Sequence, residues 1–225
     1  MEKRYTRNIS TITEEENEKL RDFKVCVIGC GGIGGYVIEM LARIGIGDLT
    51  VVDMDVFEES NLNRQILSSE KNLGNSKAIE AKKRINAINS DVHVNVIQSP
   101  FNEENGLEII NNHDVVVDAL DNIDSRKLLQ RFCAEIKIPL VHGAIGGWYG
   151  QVCSIFPGDD TFKKIYKNTS AGIEKKLGNP SFTPASIASI EVSEVIKILL
   201  SKGEVLRNKL LTIDLLYNEY NIINI

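Results

Sequence analysis

Cysteine is scarce in this chain, and its four copies show neither metal-ligand nor disulfide spacing. No two cysteines form a C-x-x-C pair, which excludes the commonest zinc and redox motifs. Cys26 falls in an apolar run and Cys133 on the apolar face of a predicted helix, so we expect both to be core thiols. Cys30 lies inside a glycine-rich loop as a small filler. We therefore expect no disulfide framework. We expect a reducing cytoplasmic location.

Other scarce features exclude further classes of protein. Acidic residues outnumber basic residues by 31 to 26, so the chain has no basic footprint for nucleic acid. No apolar run approaches about 18 residues, which argues against a transmembrane helix. No apolar segment follows the N-terminal charges, so we expect no signal peptide. The histidines at positions 93, 113 and 142 show no ligand spacing, and we expect them to be structural.

The most informative segment that is present joins an apolar strand to an amphipathic helix through glycines. Gly29, Gly31 and Gly34 form a G-x-G-x-x-G pattern directly after the apolar residues 25–28. Glycines let the backbone approach an anion, and the unpaired N–H groups of a helix start point towards it. Asp53 ends the next apolar run, where its carboxylate can bond ribose hydroxyls. The segment predicts a nucleotide site without deciding which nucleotide.

Hydrophobic periodicity predicts one α/β domain that spans residues 1–225. Strands and helices alternate first, which predicts a Rossmann-like, doubly wound and mostly parallel sheet, and the C-terminal strands are expected to extend it antiparallel. We expect an N-terminal arm and short helix over 1–20, and an irregular crossover loop over 157–183. The predicted strands cover 25–29, 49–53, 92–97, 115–117, 139–142, 150–156, 209–214 and 219–225. The predicted helices begin near Thr13 and cover 32–44, 76–89, 104–111, 123–136 and 185–201.

Four polar groups follow the glycine loop, and packing alone does not explain them. They are Asp53-Met54-Asp55, Asn61-Leu62-Asn63-Arg64-Gln65, Lys77 in a first helical turn, and the acids from Asp118 to Asp124. A lysine at a helix N-terminus opposes the helix dipole, so we expect an anion to compensate it. We expect Asp118 and Asp124 to be a helix cap and a first-turn acid. Cations for a polyphosphate, with carboxylates for ribose and a divalent metal, favour ATP over NAD.

In order and spacing, these motifs resemble the ThiF/MoeB/HesA family, the bacterial relatives of ubiquitin-activating enzymes. The resemblance begins at Arg4-Tyr5-Thr6-Arg7, which is similar to the R-Y-x-R of the family. It runs through the glycine loop, D-x-D, S-N-L-x-R-Q, G-x-x-K and D-x-x-D-N to the late helix and strands, and so covers nearly the whole chain. It implies ATP-dependent adenylation of the C-terminal glycine carboxylate of a small ubiquitin-like carrier protein, ThiS- or MoaD-like and ending in Gly-Gly, with release of pyrophosphate.

The resemblance also implies a role for each residue. Arg64 and Lys77 would act as catalytic cations, Asp121 would hold magnesium, and Arg7 would reach the site of a neighbouring subunit in a homodimer. The nucleotide-binding residues that it implies are Gly29, Gly31, Gly32, Gly34, Asp53, Asp55, Asn61, Gln65 and Asn122. The attacking carboxylate is already ionised at pH 7, so no general base is required. Catalysis would come from position and charge.

The chain departs from the family where many members carry two C-x-x-C pairs, so we expect no structural zinc. Residues 157–183 contain no cysteine for covalent sulfur chemistry, and Cys153 in a predicted strand is a poor candidate. The missing zinc ligands and the short chain favour thiamine synthesis among the pathways that use such enzymes. Two alternatives stay open, an NAD-dependent Rossmann oxidoreductase and a non-catalytic nucleotide-binding scaffold. Lys77 could also be a solvated surface cation, as we expect for Lys82 and Lys83.

Overall fold

An eight-stranded mixed sheet lies at the centre of the computed structural model, which describes residues 2–167 and 177–225. The strands are β1 (Lys24–Ile28), β2 (Asp48–Val52), β3 (His93–Ile97), β4 (Val115–Asp118), β5 (Leu140–Gly146), β6 (Tyr149–Ile155), β7 (Lys209–Asp214) and β8 (Glu219–Asn224). Their spatial order is β3-β2-β1-β4-β5-β6-β7-β8. The strands from β3 to β5 are parallel, and β6, β7 and β8 each pair antiparallel with the preceding strand. The predicted fold class is confirmed.

Helices cover both faces of the sheet, and each face buries its own apolar core. The helices are α1 (Glu14–Lys19), α2 (Gly32–Ile44), α3 (Lys77–Ile88), α4 (Gly106–Ile110), α5 (Ile123–Glu135), α6 (Thr161–Ile165) and α7 (Phe182–Leu200). The cores contain α2, α3 and α7 on one face, and α4, α5 and α6 on the other. Successive β1 residues alternate between them, with Val25 and Val27 on the first face and Cys26 and Ile28 on the second.

The helix ends follow local sequence signals. Thr13 caps α1, because its hydroxyl accepts a hydrogen bond from the Glu16 N–H at 3.1 Å and the Glu16 carboxylate accepts one from the Thr13 N–H at 2.7 Å. Helix α2 ends at Gly45, whose φ of +97° is a left-handed conformation that glycine adopts without strain. The helix predicted to begin near Thr13 and the helix predicted over 32–44 are both confirmed.

Strand β5 continues to Gly146, beyond the predicted end at residue 142. Gly143 lies within the strand and lets α7 approach the sheet closely. A Cβ at position 143 would lie 2.5 Å from the carboxyl carbon of Glu191. Strands β5 and β6 therefore form a hairpin, and only Gly147 and Trp148 lie between them. The length of β5 follows from packing, which the local sequence does not show.

The predicted irregular loop 157–183 contains helical structure near both of its ends. Helix α6 occupies Thr161–Ile165, and α7 begins at Phe182 rather than at residue 185. Pro184 lies in the first turn of α7, where no intrahelical partner is required for the N–H that proline lacks. Residues 168–176 of the predicted crossover loop lie outside the described residues.

All four cysteines are buried and unpaired, so the prediction that Cys26 and Cys133 are core thiols is confirmed. Burial raises the pKa of each thiol above its ordinary value. These groups are thus inert packing elements rather than nucleophiles. Within the ranges that the structure describes, no helix is long and apolar enough to cross a bilayer.

Candidate active site

A cavity of about 540 Å³ opens at the C-terminal ends of the parallel strands. The loops after β1, β2 and β4 meet there, at the edge where open α/β sheets bind their ligands. Its volume is within the usual range for a small-molecule site. Most of the predicted site residues line this cavity, namely Gly29, Gly31, Gly32, Asp53, Asp55, Arg64, Gln65, Lys77, Asp121 and Asn122.

The glycine loop brings bare backbone to the cavity. The Gly29 N–H donates to the Val52 carbonyl at 2.8 Å, and the φ of Gly29 is +105°. A Cβ on Gly29 would lie 2.5 Å from the Ala119 carbonyl oxygen, so only glycine fits without a shift. Gly31 and Gly32 form the N-terminus of α2, whose first N–H groups have no intrahelical acceptor. The loop has the form of an anion cradle.

Gly34 serves the cradle without lining it. A Cβ at this position would lie 1.9 Å from the Gly29 carbonyl oxygen, so glycine is needed for α2 to pack against the end of β1. Asn61 also lies outside the cavity lining, although its side chain is buried. Its amide oxygen accepts a hydrogen bond from the Glu58 N–H at 3.1 Å, which caps the short 3-10 helix Glu59–Asn61. Gly34 and Asn61 thus stabilise the conformation of the segments whose other residues line the cavity.

Asp53 is fixed at the floor of the cavity by two backbone donors. Its Oδ2 accepts from the Cys30 N–H at 2.7 Å and its Oδ1 from the Asp55 N–H at 2.8 Å. Burial raises the pKa of Asp53 above its ordinary value, while the two N–H donors act in the opposite direction. One carboxylate thus joins the glycine loop to the end of β2 and leaves lone pairs for hydroxyl donors.

Lys77 has an anionic partner, as its place at a helix start predicts. Its Nζ lies 3.1 Å from Oδ2 of Asp55, and the lysine is 7% exposed. Ser76 caps the helix through the Ile79 N–H. The interpretation of Lys77 as a solvated surface cation is wrong, because it is buried at the cavity while Lys82 and Lys83 are exposed on the same helix. The phosphates of a ligand would compete with Asp55 for this ammonium group.

Arg64 is held at the rim of the cavity by neighbouring oxygens. Its Nη1 donates to the Ser60 carbonyl at 3.0 Å and to Oδ1 of Asn63 at 2.8 Å. The Asn63 amide donates in turn to the Asn179 carbonyl at 3.0 Å. Residues 60–65 and the segment before α7 are thereby joined across the cavity mouth.

Two amide oxygens at the cavity retain hydrogen-bonding capacity. Oε1 of Gln65 and Oδ1 of Asn179 are buried and have no partner among the described residues, and both side chains line the cavity. Buried polar atoms in native proteins are usually satisfied. Each oxygen can accept a hydrogen bond from a water molecule or from a donor group of a ligand, such as the hydroxyl or amino groups of a nucleoside.

The turn of residues 119–122, which we call the acidic turn, closes the cavity on the β4 side. Asp121 is exposed there, and the side chain of Asn122 accepts from the Ser125 N–H at 2.8 Å as the cap of α5. Asp118 is not the cap that its spacing suggested. It is fully buried and pairs with His142, because the β4–β5 register sets the two residues side by side. Asp124 lies in the first turn of α5, as predicted.

Magnesium is compatible with this donor set. Asp53, Asp55 and Asp121 present carboxylates at one cavity. Among the described residues, no group of three or more histidine, cysteine or acidic side chains is close enough to hold a metal by itself. Mg²⁺ commonly takes one or two carboxylates, with substrate phosphates and waters as its other ligands. Asp121 lines the same cavity and is exposed there, and a carboxylate is a ligand that Mg²⁺ accepts.

Arg7 belongs to an arm that packs at the N-terminal ends of the parallel strands, and it does not line the cavity. It is exposed and follows Tyr5, which packs against Gly45 after the C-terminus of α2 and bonds Asn89 after the C-terminus of α3. Those helix ends are at the N-terminal edge of the parallel strands, whereas the cavity is at the C-terminal edge. The arm in this position does not bring Arg7 to the cavity of its own chain.

Some cavity residues were missed at the sequence level. Ser99, Pro100 and Phe101 follow β3, and Asn179 precedes α7. The first three follow the C-terminal end of a parallel strand, so the rule that ligands bind at that edge could have found them. Nothing local signals Asn179, which reaches the cavity only through the fold.

A model of the ThiF family matches residues 5–225. The chain belongs to the ThiF family. This ThiF-family protein is 35% identical over 217 residues to the SAMP-activating enzyme E1 of Haloferax volcanii, with 94% of this chain and 80% of that protein covered. It is 34% identical to the molybdopterin-synthase adenylyltransferase of Haemophilus influenzae, with coverages of 95% and 90%. It is also 34% identical to the sulfur carrier protein adenylyltransferase of Thermus thermophilus, with coverages of 90% and 78%.

Solved structures agree with the family assignment at the level of the fold. The crystal structure of E. coli MccB with ATP superposes with a TM-score of 0.84 at 24% identity, covering 100% of this chain and 71% of that one. The structure of the same protein with succinimide gives 0.84 at 25% identity, with coverages of 100% and 72%. The fold of this chain is thus one already seen in a solved structure.

Proposed function

We propose that this ThiF-family protein is an adenylyltransferase, which uses ATP to activate the C-terminal glycine carboxylate of a small ubiquitin-like carrier protein. One observation carries the proposal: a single cavity joins a backbone anion cradle to Arg64, Lys77 and Asp121. The relatives support it, since two are named as adenylyltransferases, one of them for a sulfur carrier protein, and one is named as a SAMP-activating E1. They give no support for an NAD-dependent oxidoreductase.

The reaction is a displacement at phosphorus. A carboxylate oxygen of the carrier attacks the α-phosphorus of ATP, the bond from that phosphorus to the bridging oxygen breaks, and pyrophosphate leaves. The products are an acyl adenylate and pyrophosphate, and no proton transfer is required. The main obstacle is the repulsion between an anion and a polyanion, which fixed cations and N–H dipoles reduce.

The residues of the cavity divide this work. The cradle at the start of α2 would hold phosphate, and Asp53 would accept hydrogen bonds from the ribose hydroxyls. Lys77 would exchange Asp55 for a phosphate oxygen, and Arg64 would neutralise the charge that develops on the leaving pyrophosphate. Asp121 would hold magnesium, which when bound offsets phosphate charge.

The carrier and the assembly are finer parts of the proposal. The names of two relatives mention SAMP and a sulfur carrier protein, and we infer a small carrier protein as the partner. That this partner ends in Gly-Gly is what the family resemblance implies. A homodimer with Arg7 inserted into the other subunit would explain why this residue lies far from its own cavity. Thiamine synthesis stays a prediction. The four buried thiols are in keeping with the expected cytoplasmic location.

Pyrophosphate exchange tests the proposed function directly. Labelled pyrophosphate should enter ATP only when the enzyme, magnesium and a Gly-Gly-ended carrier protein are all present. A carrier that lacks its final glycine is the matched control and should give no exchange. Tighter binding of NAD than of ATP, with no exchange for any carrier, would favour the oxidoreductase. The scaffold alternative predicts no affinity for ATP that depends on magnesium.

Replacing Lys77 with methionine should weaken ATP binding by about tenfold to a hundredfold, because a hydrogen bond to a charged group contributes about 1.5–3 kcal/mol. Methionine keeps the length of the buried stem and removes the charge. Lys82→Met is the control, since Lys82 is exposed on the same helix and lies outside the cavity lining. Calorimetric titration with ATP and magnesium measures both variants. Equal dissociation constants for ATP in Lys77→Met and in the wild type would show that Lys77 does not bind the nucleotide.

A further inference from the structure

A chain of buried and partly buried hydrogen bonds runs from the end of α6 to the acidic turn. The Tyr166 hydroxyl lies 3.0 Å from Nε2 of His142, and Nδ1 of His142 lies 2.7 Å from Oδ2 of Asp118. Oδ1 of Asp118 accepts from the Leu120 N–H at 3.0 Å. Asp118 and His142 are both fully buried. Three side chains thus connect α6 to the backbone of the acidic turn.

Arg126 holds the other polar group of the same turn residue. Its Nε and Nη2 donate to the Leu120 carbonyl at 3.2 and 2.5 Å, and its Nη1 donates to the Tyr166 hydroxyl at 3.2 Å. The N–H of Leu120 belongs to the peptide plane before it and the carbonyl to the plane after it. Side chains of one network therefore orient both peptide planes, and the second of these planes leads directly into Asp121.

A neutral His142 gives this network a consistent assignment of donors and acceptors. The Asp118 carboxylate accepts only, so Nδ1 of His142 carries the proton and donates to it. Nε2 of His142 then accepts from the Tyr166 hydroxyl, whose oxygen accepts from Arg126 and from the Gln151 amide at 3.1 Å. Burial lowers the pKa of His142, and its neutral ring fits this tautomer.

We propose that His142 is a positioning residue, which fixes the acidic turn by donating to Asp118 and thereby places Asp121 at the cavity. The competing interpretation is that His142 only satisfies a buried carboxylate and contributes to stability. The kinetic consequence of this proposal rests on the proposed function. The conformational order of the acidic turn, in contrast, is a property of the protein itself. The two can therefore be measured separately.

Two amide substitutions separate positioning from stability. The amide nitrogen of asparagine lies two bonds from Cβ, as Nδ1 of histidine does, whereas that of glutamine lies three bonds away, as Nε2 does. His142→Asn should therefore keep the donor to Asp118, and His142→Gln should lose it. Both substitutions place a neutral amide in the same buried position. The control is His113→Asn, because His113 bonds Thr50 at 2.8 Å and the Ile110 carbonyl at 3.1 Å before β4, outside the cavity lining.

The first readout is hydrogen exchange of the peptide that covers residues 118–122, measured by mass spectrometry on the protein without nucleotide. We expect exchange about tenfold faster in His142→Gln, and wild-type exchange in His142→Asn and His113→Asn. The second readout is carrier-dependent pyrophosphate exchange. Misplacement of a site group by about 1 Å can cost about 100-fold, so His142→Gln should lose at least about tenfold in rate and His142→Asn no more than about threefold.

The outcomes are distinct. Equal hydrogen exchange over 118–122 in the asparagine and glutamine variants would overturn the proposal, as would an equal effect of His113→Asn. A third outcome is that hydrogen exchange differs between the variants as expected, while even the wild type gives no pyrophosphate exchange. That outcome would overturn the proposed function but would support the positioning role of His142. If neither His142 variant folds, Tyr166→Phe removes the hydroxyl that bonds Nε2. It should speed exchange over 118–122 about threefold, and unchanged exchange there would refute the proposal.

Discussion

Replacing Asp121 with asparagine is expected to reduce pyrophosphate exchange by about 100-fold or more. Asparagine keeps the shape of the side chain and removes the charge that we propose holds magnesium at the cavity. Asp121 is exposed beside the glycine cradle, so the substitution removes no buried contact and the fold should be unaffected. The midpoint of thermal unfolding should therefore stay unchanged while the exchange rate falls.

Binding measurements separate a lost metal ligand from a general defect. In the wild type, magnesium should strengthen ATP binding at the cavity, because one carboxylate and the phosphates share the ion. In Asp121→Asn the affinity measured with a chelator present should equal that of the wild type, and addition of magnesium should strengthen binding much less. Titration calorimetry with and without the metal gives both numbers.

Asp124→Asn is the matched control. Asp124 is an exposed acid in the first turn of α5, three positions after Asp121, and it does not line the cavity. Its removal should change the rate by no more than about twofold, since an exposed charge near a helix N-terminus contributes about 0.3–1 kcal/mol to stability and touches no ligand. A rate for Asp121→Asn that matches the Asp124→Asn rate would refute the assignment of Asp121.

The parts of the site that depend on local backbone geometry could be read from the sequence. The glycine loop is an example, because Gly29 and Gly34 are required where backbone atoms approach within contact distance. The place of Lys77 in a first helical turn, and its need for an anion, also follow from local rules. The alternation of strands and helices along the chain gave the class of sheet, because neighbouring parallel strands need a crossover connection, usually a helix.

The parts that depend on strand register could not be read in the same way. Asp118 has the spacing of a helix cap, yet it pairs with His142 because β4 and β5 are neighbours in the sheet and these residues are register partners. The partnership of Lys77 with Asp55 crosses a long polar connection that no periodicity describes. Asn179 reaches the cavity from a segment near α7. Each of these contacts requires the topology before it can be inferred.

Replacing Arg7 with alanine is expected to reduce pyrophosphate exchange by about 100-fold or more, although Arg7 lies far from the cavity of its own chain. Arginines that stabilise phosphoryl transfer from another chain commonly have effects of about 10³–10⁵. Arg7 is exposed, so its truncation should not alter the fold. This prediction depends on the proposed homodimer, in which each cavity is completed by the arm of the partner.

Subunit mixing gives the sharpest test of that arrangement. Dimers of Arg7→Ala alone and of Asp121→Asn alone should both be nearly inactive. A mixed dimer has one cavity with a native Asp121 in its own chain and a native Arg7 from the partner, and a second cavity that lacks both. Equal amounts of the two variants, unfolded together and refolded, should thus recover about a quarter of the wild-type rate, since half of the dimers are mixed and each has one complete site.

Lys3→Ala is the control for the arm. Lys3 is an exposed cation in the short 3-10 helix that precedes Arg7, and the variant should keep the wild-type rate. Sedimentation at the assay concentration should show a dimer for every variant. Recovery of no activity after mixing, from variants that do form mixed dimers, would mean that Arg7 acts within its own chain or not at all. A monomer that is fully active would exclude the shared site. The arm of each chain lies at the N-terminal ends of its strands, and the cavity lies at their C-terminal ends. One chain therefore cannot bring its own arm to its own cavity without unpacking Tyr5 from Gly45.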